Sequence, residues 1–514
     1  MGREEYVLGI DMGTSSVKAG LFTLTGTPIA FADATYPLYT PRSGWAEQKT
    51  DEWWNAICKA TRKLVDKSGV SPSAIMGMSV DTTCCTMLFL DRDRQPLRPA
   101  VMWMDVRASK QAKEITATGD PMLKYNGYGN VSAECMPAKV LWIKQNEPEV
   151  WEKTGYICEC LDWLTHKLAG ELTASIDTMA PRWYYDRPNG GWPLDFFASF
   201  GLDDVVEKLP QDILDMGAYV GKLTEKAAAD LGLAAGIPVG EGGADAFVGM
   251  VGLNVVQPGR IAMITGTSHL HLGLTEKEMH SKGMWGSYPD AVIRGLHLIE
   301  GGQTSTGAIV NWFKTNFCGD IRQLAEKEGR SVYDLLNEGA QELPIGADGL
   351  LALDYFQGNR TPYADPDVRG MFYGLSLSHT PYHVYRAIIE SICYGTEAIM
   401  QTFRDGGMEP DGIYISGGAV KSAFWTQAHA DVCNLPIFIP KVTEAPCLGS
   451  AILGAVACGA YADIQTAAKN MVTIEDRVEP DREKQQEYRF YYEKYKEAYL
   501  DSRGWMHGIT ARPQ

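Results

Sequence analysis

The segment Leu8-Gly-Ile-Asp11-Met-Gly13-Thr14-Ser15-Ser16-Val17-Lys18 runs an apolar strand pattern straight into an acidic, glycine-containing, hydroxyl-rich turn. The same design returns at Arg260-Ile-Ala-Met-Ile-Thr265-Gly266-Thr267-Ser268, where a second apolar run follows. Glycine lets such a turn bend sharply and bring backbone N–H groups close to phosphate oxygens, while threonine and serine hydroxyls add donors. Each turn alone reads equally well as a hairpin. The pair points instead to two related domains facing one nucleotide. Gly13, Thr14, Ser15 and Lys18 are then the phosphate-binding groups of one, and Gly266, Thr267 and Ser268 those of the other. Asp11 is placed to hold Mg2+ through water. Neither copy closes on Gly-Lys-Ser/Thr or shows Gly-x-Gly-x-x-Gly, so the site is neither a P-loop nor a Rossmann turn.

A chain of 514 residues accommodates two domains, and the division expected here is 1–254 and 255–514. The net charge of −17 argues against nucleic acid or anionic membrane as the main partner and favours a small substrate. No apolar run reaches the length that spans a bilayer, and the opening Met-Gly-Arg-Glu-Glu-Tyr lacks the layout of a signal peptide, so a cytoplasmic location is expected. The eleven cysteines are scattered, and Cys158-x-Cys160 is too close for the usual zinc pair; they read as reduced thiols. A homodimer is compatible with the sequence.

Three successive strands are predicted over 6–11, 17–24 and 29–36, then a helix starting at Thr50-Asp51 and a strand over 74–80. That strand ends at Asp81-Thr82-Thr83-Cys84-Cys85-Thr86, and carboxyl ends of strands are where α/β sheets bind ligands. A strand over 99–103 delivers Trp103, Asp105 and Arg107, and a helix is predicted over 156–168. The aromatic stretch 182–192 interrupts the periodicity and reads as an inserted lid or wall. In the second half, helices are predicted over 384–402, 424–434 and 483–499. With no low-complexity linker, the two domains are expected to pack closely.

Asp245 follows Gly242-Gly243 at a strand end, with Phe247, Val248 and Met250 behind it, so its carboxylate can point into a cleft and act as a general base. Phosphoryl transfer to an alcohol needs such a base, a metal ion and backbone donors for the γ-phosphoryl, and all three have candidates here. Helix capping is the other use of an aspartate in this position. Ser416-Gly417-Gly418-Ala419, leading to Ser422, is a glycine-rich turn that would seat adenosine, with Gly307 approaching adenine and Asn311 hydrogen-bonding it. Trp103 offers an apolar face to substrate C–H groups, and Asp105 and Arg107 offer partners for hydroxyls. His269 and His271 alternate along one strand; His269 is a substrate-contact candidate, although a structural role suits both.

These residues together resemble the FGGY carbohydrate kinase family over nearly the whole chain. The most specific element is Gly370-Met-Phe372-Tyr-Gly374-Leu375, seven residues, then His383-Val384-Tyr-Arg-Ala387-Ile388-Ile389-Glu390, which matches the second signature of the family throughout. The first signature is kept at Lys139-Val-Leu-Trp142-Ile143 and Asn146, whereas Cys135-Met136-Pro137-Ala138 departs from it. The resemblance implies two actin-like, ribonuclease-H-like α/β domains closing over ATP and a polyol or ketose. It makes Asp11 and Asp245 metal partners, Thr14 and Thr267 phosphate ligands, and Asp245 the base. Gly307, Asn311, Gly417, Gly418, Ala419 and Ser422 become nucleotide contacts. Glycerol kinases carry Gln after the catalytic Asp and an Arg-Glu pair where this chain has Ala246 and Thr82-Thr83-Cys84, which disfavours glycerol. Those positions, with Glu300-Gly-Gly-Gln303, resemble the ribulokinase and xylulokinase branch, and add Thr82, Thr83, Cys84 and Gln303 to the sugar wall. A ketopentose such as ribulose is the substrate so implied, ahead of xylulose, a tetrulose or a polyol. The competing class is a non-catalytic ATP-binding sugar sensor, which has no need of an acid at position 245.

Overall fold

The three opening strands form as Tyr6–Met12, Ser16–Thr23 and Pro28–Thr35 in a computed structural model that describes residues 4–511. Met1 to Arg3, on which the reading of the N-terminus partly rests, lie outside those residues. Side chains alternate across a strand, and the first strand is buried on both faces. Leu8 and Ile10 pack with Trp53 and Ile57 of the helix Thr50–Ser68, while Val7 joins the core on the other face. Parallel to that strand runs Ile75–Thr82, with Asp11 opposite Asp81 and Met12 opposite Thr82. On its far side, the short strand Gly243–Ala244 continues the register, Asp81 facing Gly243 and Thr82 facing Ala244.

The second sheet repeats the plan. Arg260–Thr265, His269–Thr275 and His297–Gln303 form an antiparallel meander, and Gly412–Gly417 lies parallel beside the first of them. In both sheets a meander's first strand therefore has a parallel neighbour, and a hydroxyl-rich turn opens beside that neighbour's carboxyl end.

Not all of the second half stays with the second sheet. The helix Ala445–Ala457 packs against the first, and glycines allow the approach. A Cβ on Gly9 would lie 1.9 Å from the Cys447 carbonyl oxygen, and one on Gly77 would lie 2.2 Å from that of Gly454. Ser450 of this helix donates to Asp81 Oδ2 at 2.7 Å, tying it to the acidic strand end. Gly9→Ala is expected to cost about 1–3 kcal/mol by overpacking; thermal melting checks it, and an unchanged melting point would contradict the contact.

Two local expectations are corrected. The stretch predicted as one helix over 156–168 is a strand, Tyr156–Glu159, followed by the helix Cys160–Ala169. Residues 156–159 pair with Met87–Leu90, and the Glu159/Asp162 capping box starts the helix only after that pairing ends. The strand expected over 99–103 is only Ala100–Val101, which leaves Trp103 in a loop. Among the described residues all eleven cysteine thiols are free, and no helix is long and apolar enough to cross a membrane.

Candidate active site

Strand register brings the acids together. Asp11 and Asp81 are partners on adjacent parallel strands, and Asp245 follows Ala244, the partner of Thr82. Asp245 is the first residue of the helix Asp245–Gly252, and its carboxylate accepts from the Ala246 N–H at 2.7 Å. Burial, with the negative charge of Asp11 adding to it, pushes its pKa up to about 7. Burial, with the negative charge of Asp11 adding to it, also raises Asp81 well above the usual carboxylate range. Asp81 Oδ1 has no hydrogen-bond partner. Lys18 sits opposite Asp11 across the hairpin and pairs with Glu444 at 3.5 Å.

The Gly13-Thr14-Ser15 turn, expected to bind phosphate, is braced from outside itself. Gly13 N–H donates to Ser16 O at 3.0 Å, Tyr36 donates its hydroxyl to Gly13 O, and Gln48 donates to Thr14 O at 2.8 Å. Ser15 stays exposed. Trp103 donates its indole N–H to Thr14 Oγ1 at 3.1 Å, which sets the expected sugar platform against this turn. Lys139, wholly buried, donates to the carbonyls of Cys85, Met102 and Trp103 at 2.7, 2.8 and 3.2 Å. It locks the Trp103 loop to the turn holding Thr82, Thr83 and Cys84. Cys84 is partly exposed there, whereas Thr82 and Thr83 are buried.

Asp105 and Arg107 do not offer their groups to a substrate. Asp105 accepts from Ala46 N–H at 2.6 Å and from the Arg107 backbone, Nε and Nη2 at 2.9, 2.8 and 2.7 Å, so both oxygens are saturated. Arg107 also bonds Glu47 at 2.8 Å and stacks 3.7 Å over Trp45. The pair is a buried brace beneath Trp103.

Gln303 is likewise engaged elsewhere: it donates to Asp354 Oδ2 and Ile392 O, both at 2.9 Å, and accepts from Thr396 at 3.1 Å. On the same strand, the buried Glu300 is held between two arginines. Arg182, on the helix Ile176–Trp183, donates to Glu300 Oε2 at 3.1 Å and to the Tyr288 hydroxyl at 3.2 Å, and Arg360 binds Glu300 Oε1. The two arginines outweigh burial and hold Glu300 below its ordinary pKa. The 182–192 stretch is thus a wall joining the two halves, and Arg182 was not singled out by sequence. An arginine opening an aromatic run was the only signal for it.

The Gly266-Thr267-Ser268 turn, the second expected phosphate site, repeats the first, with Gly266 N–H donating to Ser268 O at 2.9 Å and Thr267 and Ser268 exposed. Thr306 and Ala308 N–H groups donate to Thr267 O at 3.0 and 3.1 Å, and a Cβ on Gly307 would lie 2.2 Å from Gly266 O, which explains the glycine. A Cβ on Gly417, at φ 92°, would lie 1.8 Å from Thr265 O. A cavity of about 510 Å3 opens here, lined by Gly266, Gly307, Gly418, Ala419 and Ser422. Ser422 also caps the helix Ala423–Cys433 through Trp425 N–H at 3.2 Å.

Asn311 is exposed on the helix Gly307–Phe317 and is absent from this lining; Asn337, on the helix Val332–Gln341, is the asparagine that faces the cavity. His269 lines the same cavity. It is 1% exposed and packs by Trp425 and His429, and burial holds it, His271 and His429 neutral at pH 7.

The second signature supports this cavity from behind. Tyr385 donates to Asn337 Oδ1 at 2.8 Å, and Arg386 donates to Ala340 O and Leu343 O, both at 2.8 Å. Thus the motif positions the helix that carries Asn337 rather than meeting a ligand through its charges.

Comparison with known proteins agrees with this two-part cleft. Residues 6–252 match the N-terminal domain, and residues 261–458 the C-terminal domain, of the FGGY family of carbohydrate kinases. The FGGY carbohydrate kinase domain-containing protein of Xenopus laevis is 34% identical, over 96% of each chain. The ribulokinase of Geobacillus thermodenitrificans is 33% identical over 96% of this chain and 94% of its own. The crystal structure of xylulose kinase from Rhodospirillum rubrum superposes with a TM-score of 0.86 at 26% identity, covering 98% of this chain and all of that one. With both domains matched over most of its length, the chain belongs to the FGGY family of carbohydrate kinases, enzymes that transfer phosphate from ATP to a sugar.

Proposed function

We propose that this kinase phosphorylates a ketopentose such as ribulose, with Asp245 as the general base and Mg2+ as the metal, in the cytoplasm. The observation that carries the reading is the register placing Asp245 one residue beyond the partner of Thr82, beside the Thr83-Cys84 turn and the Trp103 loop. Ribulokinases among the relatives support the substrate class.

In this reading a sugar hydroxyl lies against Asp245 and gives its proton to the carboxylate as its oxygen bonds the γ-phosphorus. The bond from that phosphorus to the β-phosphate bridging oxygen breaks, and ADP leaves. The N–H groups and hydroxyls of the two turns, Thr14 and Thr267 among them, steady the phosphate oxygens. A base with a pKa near 7 suits proton transfer near neutrality. The acid floor fits a hard, hydrated cation: it offers only oxygen donors, including the unpartnered Asp81 Oδ1. Among the described residues no three such side chains converge for direct coordination, so Asp11 and Asp245 would hold Mg2+ through water. Bound there, the ion would offset negative charge on the transferring phosphoryl group.

The test is ADP release with Mg2+ and ATP across ribulose, xylulose, erythrulose, erythritol, ribitol, glycerol and their enantiomers. Saturable turnover on a ketopentose is expected. Turnover confined to glycerol or a polyol would overturn the substrate assignment.

A further inference from the structure

Cys84 and Cys85 are the only adjacent cysteines in the chain. Their sulfurs are 3.7 Å apart, Cys84 is partly exposed and Cys85 is buried. The turn that holds them is fixed from several sides. Cys85 sits at φ 62°, its N–H donates to Glu159 Oε2 at 2.8 Å, and its carbonyl accepts from Lys139 at 2.7 Å. The Thr83 and Thr86 hydroxyls bond each other at 3.0 Å across it. The Cys84 thiol, and then the charges of Arg182 and Lys139, hold the Cys85 thiol below its ordinary pKa against the cost of burial. Phosphoryl transfer as derived above uses neither sulfur.

We propose that Cys84 and Cys85 form a redox modification site, in which a hydroperoxide entering the sugar cleft converts the two thiols to a vicinal disulfide that blocks sugar binding. Cys84, the partly exposed residue of the pair, passes its thiol proton to the more acidic Cys85 sulfur 3.7 Å away as its own sulfur attacks the peroxide; the O–O bond breaks, the alkoxide takes a proton from solvent and leaves as an alcohol, and Cys84 becomes a sulfenic acid. The Cys85 sulfur then attacks the Cys84 sulfur, the S–S bond forms, and the hydroxyl leaves as water. The two thiols lose two electrons and the peroxide gains them. Cα atoms of adjacent residues are about 3.8 Å apart, short of the usual disulfide span, so the ring is strained and readily reduced. That favours a reversible modification over a structural bond. Closure would move the side chain of Cys84, the partly exposed residue of a turn coupled through Lys139 to the Trp103 loop. The blocking effect rests on the sugar wall proposed above; the chemistry at the two sulfurs does not.

The experiment treats the full-length protein with tert-butyl hydroperoxide, alkylates the remaining thiols and maps the peptides. The expected peptide spanning 84–85 carries no alkyl group and has lost two hydrogens, and dithiothreitol restores both sites to alkylation. Sugar-dependent turnover is lost and recovered in parallel, while nucleotide binding persists. Cys84→Ser, checked for folding by its melting curve, keeps its own untreated turnover after peroxide; Cys85→Ala serves as the second variant. Alkylation of both sulfurs after peroxide, a cross-link of either to Cys135, or inactivation of Cys84→Ser at the wild-type rate would each overturn the proposal. Should no sugar in the panel be turned over, the peptide map still decides the modification, so the two readings fail separately.

Discussion

Asp245→Asn is expected to lower sugar-dependent turnover by about 10²–10⁴-fold, the usual contribution of a positioned general base, while nucleotide binding stays near wild type. The amide oxygen can still accept from Ala246 N–H, so the helix start is kept. The same substitution has a signature in stability. Asp245 has its pKa raised from 3.8 to about 7 in the folded chain, so between those values the native state holds a proton that the unfolded state has released. The stabilisation linked to that proton is complete below the unfolded value and is lost as pH rises through the folded one. At pH 8 the wild type keeps a buried charge and the variant does not. One pKa unit corresponds to about 1.4 kcal/mol, and this carboxyl is partly open to solvent, so the variant should gain about 1–3 kcal/mol at pH 8 and nothing near pH 4. Melting curves in chelator at both ends of that range read the difference. A variant with wild-type turnover would remove Asp245 from the chemistry, and parallel pH dependence of the two melting points would remove the linkage.

Lys139→Met should have the second largest effect. The methionine matches the stem of the lysine but leaves the carbonyls of Cys85 and Trp103 without a donor, while that of Met102 keeps only the Asp105 N–H at 3.1 Å. Burial already holds the Lys139 pKa below its ordinary value, so removing the charge recovers part of the loss. A net cost of about 2–4 kcal/mol follows. Because those carbonyls join the Cys84 turn to the Trp103 loop, KM for the sugar is expected to rise while KM for the nucleotide is unchanged. Equal changes in both KM values would show a general loss of folded protein instead. The departure of Cys135-Met136-Pro137-Ala138 from the family pattern therefore leaves the working atom of that motif in place.

Local sequence identified what local physics controls. A strand running into Gly and hydroxyl residues has few ways to fold, and both turns form, with Gly13 and Gly266 donating back across them. The place of Asp245 at a helix start was equally legible, because the Gly242-Gly243 pair and the apolar run behind it mark the change from strand to helix. Predictions failed where a side chain's partners come from far along the chain. Asp105 looked available until Ala46 and Arg107 were seen to fill its oxygens. Gln303 is held by residues more than fifty positions away, and Asn311 and Asn337 exchange places because helix rotation decides which asparagine faces the cavity.

The sequence by itself determined the two strand-turn units, their repeated order and the acids at the strand ends, since periodicity, glycine conformation and turn chemistry act over a few residues. Only the tertiary structure decided that the helix Ala445–Ala457 packs on the first sheet, that Arg182 reaches Glu300, and that Lys139 ties the Cys84 turn to the Trp103 loop. Those contacts join segments that chain propensity leaves free, and they are selected by burial: a charge or carbonyl removed from water must find a partner wherever the fold provides one.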